Sequence, residues 1–338
     1  MNLKRKLLLA TLPLALGLST FAQAEMTLKI AEIHPAGYPT VVAMDNLGKK
    51  LDAATAGEIK SRMFAGGVLG SEKEVIEQTQ IGAVQLTRVS LGSVGPVVPA
   101  TNVFNMPFVF RDIAHMRKVI DGEIGQEILD AITNSDFNMV GLAWMEAGSR
   151  SLYTKKPVRK LEDLKGMKIR VIGNPLFIDT LNAMGANGIA MDTGEIFSAL
   201  QSGVIDGAEN NYPSFESSNH FEVAKYYSIT NHLIIPECIC VAKSVWDETP
   251  AEDQEIVREA AIAAAEGASS AMARKPSHRQ RSPSFDTKRC PGCNCACNSP
   301  PASASTSPTW AIRRSNTRGT VTCCVSGVTP AGSGWRAG

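Results

Sequence analysis

Three arginines, a histidine, a glutamate and a pair of asparagines hold the readable chemistry of this chain. Arg170 stands in Met-Lys-Ile-Arg-Val, directly after Leu161-Glu-Asp-Leu-Lys-Gly166. An arginine inside a strand that should be buried is costly unless an anion meets it. Its planar guanidinium matches a carboxylate with two parallel hydrogen bonds, which points to a binder of small carboxylates. Arg150, in Gly148-Ser-Arg-Ser151, lies beside an earlier strand and could add charge to the same layer. Asn210 and Asn211 end another strand, and each offers a donor and an acceptor. His34, Glu72 and Arg88 come from earlier in the chain and could hydrogen-bond the hydroxyls of a polar ligand. Plainer roles stand beside these. Arg150 could pair with Glu146 or Glu162, and Arg170 could likewise sit in a structural salt bridge. Arg88 could lie on the surface, and His34 before Pro35 could shape a loop. Glu72 could serve only the dipole of a capped helix, and the asparagines could be ordinary turn residues.

The elements that must position these groups follow an α/β pattern. Thr27–Ile33 alternates as a strand, and Pro39–Ala54 has helical apolar spacing. Ile59–Phe64 is a second strand, and the glycine-rich loop Gly66–Gly70 follows it. Ser71 with Glu74 three residues on is a capping box. Further strands are predicted at Ala83–Val89, Met139–Met145 and Val204–Glu209, and a short β-run after Gly166 carries Arg170, with helices ending at Gly166 and spanning Gly194–Gly203. Two groups of βα units with the chain crossing between them predict two lobes and a ligand cleft at the carboxyl ends of the strands. Cys238 and Cys240 alternate with Ile239 and Val241 and read as buried thiols on one strand face.

The two ends differ in character from this middle. Lys4, Arg5 and Lys6 precede the apolar run Leu7–Leu18, and Ala22-Gln-Ala24 closes it, which reads as a secretory signal peptide over residues 1–24. No later stretch approaches the roughly 18 apolar residues of a membrane helix, so the mature chain is expected not to be membrane-inserted. From Ala273 to Gly338 there is no Leu or Glu, and Asp286 is the only acid against ten Lys or Arg. Of the 34 basic and 33 acidic residues, 24 and 32 therefore fall before Ala273. That balance is ordinary for a soluble domain, and no nucleic-acid partner is expected. The tail composition is that of frame-shifted GC-rich DNA or of a disordered segment. Its Cys290-Pro-Gly-Cys-Asn-Cys-Ala-Cys297 run leaves open disulfides and, as a lesser alternative, a zinc site.

Six ordered blocks make the middle of the chain resemble a known family. They are Gly66–Glu72, Met106–Arg111, Gly148–Ser151, Leu161–Arg170, Asp206–Asn211 and Phe221–Tyr227. With them, residues from about Leu28 to Met272 resemble the extracytoplasmic solute-binding subunit of a tripartite ATP-independent periplasmic (TRAP) transporter, of the dicarboxylate-binding-protein type. The resemblance implies an α/β, two-lobed periplasmic-binding-protein-like fold with a central ligand cleft and a hinge helix. It implies lobe I over 25–147 and 236–272 and lobe II over 148–235. It also implies a periplasmic monomer, a small carboxylate ligand, TRAP membrane subunits as partners, and no cofactor, metal or catalysis. The family's anchoring arginine matches Arg170, a second matches Arg150, and a polar position matches Asn210. His34-Pro35, Tyr38-Pro39, Glu72, Thr87-Arg88-Val89 and Asn210-Asn211 resemble members that bind uronates, ahead of a C4 dicarboxylate or keto acid. Family members continue beyond the position of Met272 with helices that this tail does not reproduce. An exported α/β hydrolase is the alternative of another class, although no Gly-x-Ser-x-Gly, His-Glu-x-x-His or P-loop is present.

Overall fold

Among the described residues ten short segments form strands, and their partners decide their limits. They are β1 (Met26–Ala31), β2 (Ile59–Phe64), β3 (Leu86–Ser90), β4 (Met139–Met145) and β5 (Ser149–Thr154), then β6 (Lys168–Val171), β7 (Asn187–Ala190), β8 (Gly207–Asn211), β9 (Tyr226–Ile234) and β10 (Glu237–Ala242). The computed structural model describes residues 26–274. The expected leader and the cysteine-bearing run after Lys275 lie outside the described residues.

The strands make two five-stranded sheets, ordered β2-β1-β3-β10-β4 and β7-β6-β8-β5-β9. In the first, β1 runs parallel to β2 and β3, while β10 enters antiparallel between β3 and β4. In the second, β6 runs parallel to β7 and β8, and β5 pairs antiparallel with β8 and β9. The chain passes between sheets twice, at Glu146-Ala147-Gly148 and at Ile235-Pro236. Gly148 has φ +80°, a left-handed conformation that glycine adopts without steric cost at the first crossing.

Helices cover both faces. The helix Pro39–Ala54 packs Met44, Leu47 and Leu51 against the small face Ala260, Ala261, Ala264, Ala265 and Ala268 of the helix Ala251–Arg274. Alanines at helical spacing let the two axes approach closely over the first sheet. A separate apolar cluster runs without a break from Val89, Leu91 and Val94 in the first lobe to Ile172, Phe177 and Leu181 in the second.

Several predicted boundaries move. The helix expected to end at Gly166 is only a 3-10 turn, Leu161–Leu164. The third strand starts at Leu86, with Gln85 before it bonding Lys29 through both its backbone N–H and its side-chain oxygen. The helix expected from Gly194 begins as a 3-10 turn and becomes α-helical at Ile196–Ser202, closed by left-handed Gly203. The strand expected at Val204–Glu209 is Gly207–Asn211, because its ladder partners on β5 reach from Thr154 up to Arg150. Asn210 and Asn211 are thus buried strand residues and not turn residues. Cys238 and Cys240 are free and buried, with their sulfurs 3.2 Å apart beside a register shift in β10.

Candidate functional site

The second lobe brings Arg150 and Arg170 to strands on either side of β8. Arg150 is fully engaged. Its Nε and Nη2 donate to Glu209 Oε2 and Oε1 at 2.7 and 2.8 Å, a bidentate pair. Nη1 donates to Asn210 Oδ1 at 2.7 Å, and Nη2 also reaches the Glu209 carbonyl at 3.0 Å. Its partner is therefore Glu209, from the neighbouring strand, and neither Glu146 nor Glu162. Burial alone would raise the Glu209 carboxyl, but Arg150, His232 and Arg170 together hold it below the usual carboxylate range.

Arg170 is different. It is 3% exposed, its Nε donates to the Met191 carbonyl at 2.7 Å, and its Nη2 to Thr193 Oγ1 at 3.3 Å. Its Nη1 is buried and has no hydrogen-bond partner. No carboxylate pairs with it among the described residues. Burial pulls its pKa down from the ordinary arginine value, and the nearby Arg150 charge adds to that. A buried cation with an unmet donor carries a desolvation cost that an anion would offset.

The first lobe supplies a carboxylate-rich cluster. Arg88, expected either at the ligand or on the surface, is 2% exposed and turned inward. Its Nε donates to Glu32 Oε1 at 2.7 Å, its Nη2 also meets Glu32, and its Nη1 donates to Glu72 Oε1 at 3.0 Å. His34 Nδ1 lies 2.9 Å from both Glu32 Oε1 and Arg88 Nη2, and its ring stacks on Tyr38 at 3.9 Å. Burial would raise the Glu32 carboxyl, yet Arg88 and His34 hold it at about 2. Glu72 follows Ser71 of the observed capping box and does more than complement a dipole. Its carboxylate also accepts from the Ser90 backbone N–H at 2.9 Å and from Ser93 Oγ at 2.6 Å.

The two clusters face one another. The charge of Glu72 acts on Arg170 across the gap between them. Tyr38 of the first lobe hydrogen-bonds Ser214 Oγ at 3.0 Å and Asn211 Oδ1 at 3.3 Å in the second. Asn174 Nδ2 of the second lobe donates to the Gly92 carbonyl at 3.0 Å and Asn102 Oδ1 at 3.0 Å in the first. Asn211 is occupied by these roles: its Nδ2 also donates to the Ala147 carbonyl at 2.6 Å, and its Oδ1 caps Ser214 N at 2.8 Å. Asn210 accepts from Arg150 and from Asn211 N at 2.8 Å through Oδ1, while its Nδ2 makes no hydrogen bond among the described residues.

Sequence reasoning missed Glu32, Glu209 and Glu237 as members of this arrangement, and it marked Tyr38 only through the resemblance to uronate-binding members. Glu209 had a signal, since it stands directly before the asparagine pair in a strand with apolar Ala208. The site is distinct from an apolar cavity of about 370 Å³ lined by Phe108, Leu152, Leu161, Leu164, Met184 and Ile229. That cavity includes only exposed Lys160 as a charged group and has no buried cation to hold an acid.

The chemistry is polarised across the cleft. On the second-lobe side, Arg150 and Arg170 against Glu209 leave one formal positive charge. The first-lobe side carries Glu32, Glu72 and Glu237 around Arg88. Such a cleft accepts one carboxylate at one end and hydroxyls at the other.

Residues 30–278 match the profile of bacterial extracellular solute-binding protein, family 7 (DctP). A solute-binding protein of Chromohalobacter salexigens is 44% identical over 253 residues, which is 75% of this chain and 74% of that protein. A TRAP periplasmic solute-binding protein from Pseudomonas putida F1, solved with bound D-glucuronate, is 69% identical with a TM-score of 0.73 and covers 73% of this chain and 81% of its own. One from Sulfitobacter sp. NAS-14.1, solved with bound β-D-galacturonate, is 41% identical with a TM-score of 0.71 over 73% and 82%.

Proposed function

The chain belongs to the bacterial extracellular solute-binding proteins of family 7, and from that premise we propose that it captures a hexuronate such as D-glucuronate and presents it to TRAP membrane subunits. The observation that carries this reading is the buried, unpartnered Nη1 of Arg170. The ligand carboxylate sits against that guanidinium, and the Arg150–Glu209 pair holds Asn210 beside it. The ring hydroxyls face His34 and Glu72, which Arg88 positions from behind. A plain C4 dicarboxylate would bring its second negative charge to Glu32 and Glu72, where repulsion opposes it. Uronates bound in related structures support the same choice. In this reading the protein is exported with loss of residues 1–24 and works in the periplasm as a monomer. A lobe of residues 25–147 and 236–272 closes on one of residues 148–235, and closure excludes water from the charged contacts.

The test is isothermal titration calorimetry of the chain with D-glucuronate, D-galacturonate and succinate, beside Arg170→Ala. Saturable one-to-one binding of a uronate is expected, weakened roughly tenfold to a hundredfold in the variant, as loss of a charge-assisted pair predicts. Binding of succinate in preference to both uronates, or full uronate affinity in Arg170→Ala, would overturn the proposal.

A further inference from the structure

We infer that Glu237 is a specificity-determining residue that meets the ligand as a neutral carboxyl group and donates a hydrogen bond to one of its hydroxyls. The inference deepens the binding-protein reading and rests on it. Glu237 opens β10 immediately after the second crossing, opposite Ser90 on β3 and Met145 on β4, so it lies at the cleft end of the first sheet. It is 6% exposed, and its Oε2 has no hydrogen-bond partner. A buried carboxyl oxygen left unmet is costly, and a ligand hydroxyl arriving in the cleft would satisfy it.

The surroundings decide its protonation. Glu32 at the end of β1, Glu72 at the start of its helix and Glu237 all address Arg88, while His34 and Tyr38 border the group and Arg150 faces it from β5. Arg88 spends its hydrogen bonds on Glu32 and Glu72. Glu237 Oε2 comes no nearer to its Nε than 3.4 Å and makes no hydrogen bond with it. Of three carboxyls around one guanidinium, the one without a direct donor is the one that keeps its proton. Burial, reinforced by Glu32 and Glu72, raises this carboxyl above its ordinary value against the pull of Arg88 and His34. A protonated carboxyl is both donor and acceptor, which suits a hydroxyl and offers no counter-charge to a second carboxylate.

The experiment is calorimetry with D-glucuronate at three pH values between about 5.5 and 8.5, on the unmodified chain, Glu237→Gln, Glu237→Leu and Arg170→Ala, with thermal unfolding of each. Glu237→Gln, which keeps a donor and an acceptor at fixed charge, is expected to bind within about threefold of the parent and to flatten the loss of affinity as pH rises. Glu237→Leu is expected to bind about tenfold more weakly, the worth of one hydrogen bond. A tenfold loss in Glu237→Gln, an unchanged pH slope in it, or parental affinity in Glu237→Leu would overturn the assignment. If Glu237→Leu fails to unfold cooperatively, the Glu237→Gln pH profile decides. Absence of glucuronate binding by the unmodified chain would overturn the parent reading itself, whereas an effect of Arg170→Ala without one of Glu237 would overturn this inference alone.

Discussion

Arg150 and Arg170 flank β8, and what each touches gives them different work. Arg150 is neutralised by a bidentate carboxylate, and Arg170 keeps a donor for something that arrives. The arginine in an apolar run was legible in the sequence because its burial is a local property of Lys168–Val171. Glu237 was not, and Glu209 was marked only by its place before the asparagine pair. Whether a glutamate in a strand is buried depends on cations brought from β5 or β3 by pairing, and no local pattern encodes that. The same site carries a titration that belongs to single residues. His220 is 1% exposed, and its Nδ1 contacts the Tyr153 hydroxyl at 2.9 Å. Burial, with Arg170 adding repulsion, pushes it from 6.5 down to about 4. The unfolded chain therefore takes up this proton more readily than the folded one, so stability is whole above pH 6.5 and drains away as pH falls toward 4. His232 shifts in the same direction, and Glu237, being raised, works in the opposite one. Thermal midpoints should fall across that window, and His220→Gln should remove up to roughly 3 kcal/mol of the dependence. An unchanged slope in the variant would show that His220 titrates normally.

Among the elements, long periodic segments were legible. The helix Pro39–Ala54, the strands Ile59–Phe64 and Met139–Met145, and the capping box at Ser71 and Glu74 stand where local pattern placed them. The second lobe was harder to read, because its strands are short and its turns tight. β8 is the clearest case: its limits are set by β5 and β6, which flank it. The approach is so close at Gly207 that a Cβ there would lie 2.6 Å from the Tyr153 carbonyl and 2.5 Å from Thr154 Cγ2. Backbone on one side cannot yield. Gly207→Ala should destabilise the chain by about 1–3 kcal/mol, the range for overpacking, and shift the strand that carries Glu209 and Asn210. Urea unfolding of the variant checks this, and a midpoint equal to the parent's would mean β8 has slack that the register does not show.

At the scale of the whole molecule, the lobes meet through a few polar ties and one continuous apolar core. Tyr38 is 2% exposed and joins the first lobe to Ser214 and Asn211 of the second. Tyr38→Phe keeps the ring on His34 and deletes the hydroxyl that both partners use. Its uronate affinity should fall by about threefold to tenfold, because each closed molecule loses roughly one net hydrogen bond and the closed population shrinks. Small-angle scattering should show a larger radius of gyration for the free variant, and an unchanged radius and affinity would remove Tyr38 from closure. The placement of β10 has a consequence in time. β3 and β4 do not pair with each other; each pairs with β10, which is the last strand among the described residues. Until residues 237–242 have been made, the first sheet exists as two unjoined pieces, and by then the whole second lobe has been synthesised. The first lobe to begin is thus the last to finish. Truncation anywhere before residue 237 would therefore leave the two halves of the first sheet unjoined even with the strands of the second sheet all present.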